Sequence, residues 1–253
     1  MPEVNYRFDT KVLSGRLDRT KEQIVPGHDS RYWLEFHLAF YHYANLRANE
    51  ADVLDIGCGY GYGSHLLSEK ARSVVGLDMH PPAIAYAKEN YLRPNLTFRE
   101  HDANEPLPFE DDSFDLIVSS EVLEHIHRQR ELMEEVRRVG RNGGRAIVKT
   151  PNALNDPGGA NPHHHHIFSL DEYRKFMIPV FPHAEIFLWC QRVALTNKVV
   201  EFPLPSEVRK FGEPNPSDKA ILLYTETTPE VVEPVLGGNN PRGDLLAVCP
   251  IEK

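Results

Sequence analysis

"VLDIGCGYGYGS", running from Val53 to Ser64, decides how this chain folds. Its first half is an apolar strand interrupted by one acid, Asp55, and its second half carries glycine at 57, 59, 61 and 63. Glycines at alternate positions open backbone conformations closed to other residues and let a ligand come close to the chain. A strand that breaks into such a turn just before a helix is built to hold something against backbone amides. The glycine count alone leaves two kinds of turn open. One is the G-x-G-x-x-G of nicotinamide-binding folds, and the other is D-x-G-x-G-x-G.

Outward from this turn, strand and helix patterns alternate. "DVLDI" is a strand, "GSHLLSEKA" a helix, "SVVGLD" a strand and "PPAIAYAKENY" a helix with proline in its first turn. "LTFREHD" and "FDLIVSS" are the third and fourth strands. "EVLEHIHRQRELMEEVRRV" reads as one long helix, and "GRAIVKTPN" is a fifth strand after an Asn142-Gly143-Gly144 turn. Strands separated by helices imply right-handed crossovers and a parallel sheet. Upstream, Asp29 or Ser30 is a candidate N-cap for a helix with Trp33, Phe36, Phe40 and Ala44 on one face. Downstream of Asn152 come a helix, "SLDEYRKFM", and strands "AEIFLWCQRV" and "GDLLAVCPI". The Pro-rich stretch from Glu201 to Arg242 lies between those strands, with only "AILLYTE" ordered in pattern; a connection this long predicts a lid or an interface arm.

Composition narrows the field. The 253 residues allow one large α/β domain, and 41% hydrophobic with 26% charged residues is ordinary for a chain that buries a core. The formal charge of −9 gives no electrostatic reason to expect a nucleic-acid partner. No apolar run approaches the ~20 residues of a membrane span, and the N-terminus lacks the apolar segment of a signal peptide, so a cytoplasmic protein is expected. Cys58, Cys190 and Cys249 are odd in number and far apart, a poor basis for disulfides or structural zinc.

The acids discriminate between ligands. A carboxylate at Asp55 repels a pyrophosphate but suits a ligand carrying ammonium and sulfonium charge. Asp78 ends the second strand about twenty residues past the glycines, where a carboxylate accepts both ribose hydroxyls. Asp102 and the amide of Ala103 follow the third strand and can read an adenine edge. Three acids at successive strand ends describe a pocket for a cationic adenosine compound.

At this point the chain resembles the class I S-adenosylmethionine-dependent methyltransferases. The resemblance is carried by "VLDIGCGYGYGS", "VVGLDMHPPAIAYA", "REHDANEPLPFEDDSFDLIVSSEVLEH" and "RRVGRNGGRAIVKTPN", and covers Ala51 to Asn152 tightly. It implies a Rossmann-like, doubly wound α/β sheet of seven strands with the last one antiparallel. It further implies a helical extension over residues 1–50 and a methyltransferase domain over 51–253, with an insertion at about 201–242. S-adenosylmethionine is the implied cofactor and S-adenosylhomocysteine its product. Asp55, Gly57 and Gly59 would line the methionine end with Gly61 also binding the cofactor, Asp78 would hold the ribose, and Met79 would pack on the adenine. Asp102 and Ala103 would read the adenine edge, with Ser120 and Glu121 beside the sulfonium.

Methyl transfer to a hydroxyl needs a base, and His125 after "EVLE" is placed for that work. The run His163 to His166 falls on the ligand side of the sheet. Alternate residues of an extended segment share a side, so either His163 with His165 or His164 with His166 points into the cleft; His164 and His166 are taken as the partners of His125. Similar family members with "TPN" and a histidine-bearing loop serve sugar and polysaccharide biosynthesis, which implies O-methylation of a sugar, glycan or other small metabolite. A second reading takes Glu121, Glu124, His125 and His166 as a metal site. It resembles the metal-dependent methyltransferases of small-RNA 3′ ends, though a metal is not expected in the first reading. A third is a methyltransferase-like binding protein without turnover. Homo-oligomerisation through the extension or the insertion is a further expectation.

Overall fold

The structure is a computed structural model that describes residues 23–25, 31–154, 161–195, 198–203, 219–225 and 244–253. Five parallel strands form its centre: β1 (Asp52–Ile56), β2 (Ser73–Asp78), β3 (Leu96–Glu100), β4 (Phe114–Ser120) and β5 (Gly140–Thr150). The chain's last strand, β9 (Asp244–Pro250), lies antiparallel between β5 and β6 (Glu185–Leu195). These seven make the expected sheet. Two more strands, β8 (Lys219–Thr225) and β7 (Lys198–Pro203), extend it beyond β6, giving the order β3-β2-β1-β4-β5-β9-β6-β8-β7.

Helices cover both faces, as a parallel sheet buried on both sides requires. On one face lie α1 (Arg31–Asn45), α2 (Tyr62–Leu67) and α3 (Pro81–Asn90), with Phe40, Tyr43, Leu67, Ala87 and Trp189 in a shared core. On the other lie α4 (Gln129–Val139) and α5 (Leu170–Met177), packed through Leu54, Met133, Val136 and Tyr173. Ser169 caps α5: Ser169 Oγ accepts the Glu172 N–H, and the Glu172 carboxylate accepts the Ser169 N–H at 2.8 Å.

Three expectations change. The helix expected from Glu121 begins only at Gln129, because Glu121 takes a left-handed φ of 57° and Leu123–His125 forms a single 3-10 turn. Helix α1 is buried on more than one face: Leu38, Phe40, Tyr41, Tyr43 and Ala44 are all buried, since the helix is wedged between the sheet and α2. The described parts of the 201–242 stretch are edge strands; most of that stretch, like the Asp29 and Ser30 caps and the Trp33 and Phe36 side chains, lies outside the described residues.

Candidate active site

Strand order reverses beside β1, where β2 and β3 continue to one side and β4 and β5 to the other. Loops leaving the strand ends diverge at such a point and open a crevice. Here the crevice is a cavity of roughly 620 Å³ lined by Gly57, Gly59, Asp78, Asp102, Glu121 and His125 among others. Among its described lining residues there is no lysine or arginine, so carboxylates set its charge.

The glycine turn works as its spacing suggests, with φ of 71° at Gly57 and 52° at Gly59. A Cβ at Gly57 would sit 2.2 Å from Val122, whereas one at Gly59 would meet nothing within 4 Å because that position faces open space. Gly61 is a correction. It is not among the cavity residues, and its missing Cβ makes room for Ala87 and Phe98 at the start of α2.

Asp55 is the larger correction. Side chains alternate along a strand, and Asp55 points to the same face as Val53, under α1 and α2, rather than into the cavity. It is fully buried, its two oxygens accepting from Tyr41 Oη at 3.2 Å and Ser64 Oγ at 2.6 Å. Burial, reinforced by Asp78, pushes its pKa up to about 7 against the pull of those two hydroxyls. Of Asp55, Asp78 and Asp102, only the last two therefore face the ligand space, where Glu121 joins them.

Asp78 and Asp102 do line the cavity. Asp78 accepts the Gly59 N–H at 2.8 Å, the His80 N–H at 2.8 Å and the Gln23 side-chain amide at 3.0 Å. Gln23 belongs to the segment before α1 and has no sequence signal tying it to a site. Asp102 accepts the Asn104 N–H at 2.9 Å, which turns the chain after β3 and presents Ala103 to the cavity. Met79 is 62% exposed on the rim, so it is not a core residue.

Ser120 and Glu121 end β4 at the cavity wall. Ser120 Oγ and His101 Nε2 are buried there without a hydrogen-bond partner among the described residues, which is where a polar ligand would be accommodated. Glu121 is paired with Lys149, a fully buried lysine on β5 that also meets Asp244 at 3.0 Å. His37 and Tyr41 of α1 also reach the cavity. Nothing in the spacing of the chain announces them, since packing of α1 on α2 brings them in.

The histidines sort differently from expectation. His125, His163 and His165 line the cavity, together with His127; His164 and His166 do not. His127 and His165 stack with ring centroids 3.5 Å apart. His166 instead stands edge-on to Phe168, which anchors it away from the cleft. His125 Nδ1 lies 3.1 Å from the His163 carbonyl oxygen, so that nitrogen carries the proton, and Nε2 is 3.8 Å from the Glu124 carboxylate. Glu124 is buried and accepts Thr150 Oγ1 at 2.9 Å; burial, then the Glu121 charge, raises its pKa well above the usual range. Ligating atoms of Glu124, His125 and His164 lie within 4.8 Å of one another. The four-residue set with Glu121 and His166 is not assembled, because Glu121 is held by Lys149 and His166 by Phe168.

A doubly wound sheet, a glycine turn at the switch point and two strand-end acids on one cavity define an adenosyl-cofactor-binding class of fold. Residues 54–148 match the family described as Methyltransferase domain, and over that part the chain is similar to S-adenosylmethionine-dependent methyltransferases. A Mycolicibacterium smegmatis protein named a probable S-adenosylmethionine-dependent methyltransferase is 36% identical over 153 residues, covering 60% of this chain and 58% of that one. A phthiotriol/phenolphthiotriol dimycocerosates methyltransferase of Mycobacterium tuberculosis is 34% identical over 112 residues, 43% of this chain and 41% of its own. The chain thus spans less than two thirds of the length of these relatives. A chain of the solved structure described as "Complex between the Haloferax volcanii Trm112 methyltransferase activator and the putative methyltransferase" shares the fold, with a TM-score of 0.60 and 19% identity over 88% of this chain and 92% of that one.

Proposed function

We propose that this protein transfers a methyl group from S-adenosylmethionine to a hydroxyl of a sugar, glycan or other small metabolite. The observation that carries the cofactor reading is the pairing of Asp78 and Asp102 on one cavity with the open backbone at Gly59. Asp78 would hold the ribose, Asp102 and Ala103 the adenine edge, and Met79 the adenine face. Ser120 and Glu121 would flank the sulfonium. The cofactor supplies an electrophilic methyl carbon; the chain positions the acceptor in line and takes up its proton.

For the proton, His125 is the base. The His163 carbonyl selects the tautomer with Nδ1–H, which leaves Nε2 as the lone-pair nitrogen. His163 and His165, rather than His164 and His166, would then shape the acceptor's approach. Calorimetry with S-adenosylmethionine tests binding, and an acceptor screen with tritiated cofactor tests transfer. Absence of binding would defeat the reading, while tight binding with no transfer to any acceptor would favour a non-catalytic binding protein.

One observation favours a second reading for the acceptor side. A raised, buried Glu124 beside two histidines suits a divalent cation, which would replace the proton on Glu124 and polarise an acceptor hydroxyl. Metal analysis of chelator-free protein decides it: no bound ion and chelator-insensitive turnover would remove it.

A further inference from the structure

Lys149 is an anomaly for its position. It lies on β5 with 0% of its side chain exposed, between Glu121 at the end of β4 and Asp244 at the start of β9. The Glu121 N–H donates to the Lys149 carbonyl at 3.0 Å, so backbone and side chain both tie the two residues together. Glu121 holds a left-handed φ of 57°, uncommon for a residue with a Cβ, and its carboxylate is the only one of the two that lines the cavity. A buried ammonium is costly unless it is paired. Here it is shared by Glu121 and Asp244, so with both carboxyls ionised the three groups carry one net negative charge, which Glu121 brings to the cavity wall.

We propose that Lys149 is a positioning residue: shared between Glu121 and Asp244, it holds a carboxylate anion at the cavity wall, which makes the site prefer the sulfonium cofactor to the neutral thioether left after transfer. The inference rests on the S-adenosylmethionine reading of the cavity. A preference of this sign helps turnover, because the spent cofactor loses the charge that held it.

The groups facing Glu121 are Lys149 from β5, Asp244 from β9, Glu124 from the 3-10 turn and Tyr62 from α2. His37 of α1, beside Lys149, is driven down to about 3 by burial and then by the lysine charge, so it stays neutral. Burial raises the Glu121 carboxyl to about 7, with Lys149 pulling it down and Asp244 pushing it up. Removing the lysine therefore leaves Glu121 protonated at neutral pH, and removing Asp244 ionises it more readily.

The test is calorimetric affinity for S-adenosylmethionine and S-adenosylhomocysteine across pH, with unfolding of each variant followed separately. The wild-type preference for the sulfonium form is expected to set in near pH 7. Lys149→Met should cut that preference roughly tenfold at neutral pH, the scale of one charge-assisted interaction, and move its onset upward. Glu121→Gln should abolish it at every pH, and adding Lys149→Met to Glu121→Gln should cost no further preference. Should Lys149→Met fail to fold, Asp244→Asn carries the test, because it should move the onset to lower pH. Equal weakening of both ligands in Lys149→Met, a preference that survives Glu121→Gln, or an onset unmoved by Asp244→Asn overturns the inference while leaving the cofactor reading intact. Failure of the wild type to bind S-adenosylmethionine overturns both.

Discussion

The backbone N–H of Gly59 donates to the carboxylate of Asp78 at 2.8 Å, joining the turn after β1 to the tip of β2. One acid thus shapes the glycine turn and faces the ligand space. Its other oxygen takes the His80 N–H and the Gln23 amide. Ribose hydroxyls would compete with Gln23 for that oxygen.

Asp78→Ala removes the anchor of the turn along with the ribose acceptor. Affinity for S-adenosylmethionine should fall by about ten- to a hundredfold, the equivalent of about 1.5–3 kcal/mol for bonds to a charged group. His125→Ala, which touches neither, should bind the cofactor normally and slow transfer. Calorimetry and single-turnover rates on both variants check the division, and equal loss of binding and rate in either would contradict it.

Asp55 makes stability depend on pH with an unusual sign. Its folded pKa of about 7 lies above the ordinary carboxyl value of 3.8, so the folded state holds a proton that the unfolded chain releases. That contribution is complete below pH 3.8 and is lost as pH rises through about 7. Glu121 and Glu124 act in the same direction. Asp55→Asn keeps the shape without the titration, so its urea midpoint should decline less than the wild type's between acidic and neutral pH.

Gly63 lets α1 lie against α2. A Cβ there would stand 2.1 Å from the Tyr41 ring, which is held in place by its bond to Asp55. Gly63→Ala should destabilise the fold by about 1–3 kcal/mol through overpacking, read from the urea midpoint at constant slope.

His164 and His166 should behave differently, although they are two residues apart. His164 sits 4.8 Å from the His125 ring, whereas His166 is fixed against Phe168. His164→Ala should slow transfer on the order of tenfold by loosening His125, and His166→Ala should stay within about twofold of wild type. Matching rates for the two variants would argue against the arrangement.

Much of this protein was legible along the chain. Period-2 and helical patterns located the central strands, and the glycine run with Asp78 and Asp102 marked the cavity, because those signals depend on neighbours a few residues apart. Tertiary structure alone decided the rest. Asp55 turned away from the ligand because α1 supplied Tyr41 on the opposite face of the strand. Glu121 stopped the expected helix by adopting φ 57° beside Lys149, and the loop after β5 brought His163 and His165 to the cavity while Phe168 withdrew His166. Local pattern determines which element forms; the face a side chain shows is set by partners distant in sequence, and their approach is a property of packing.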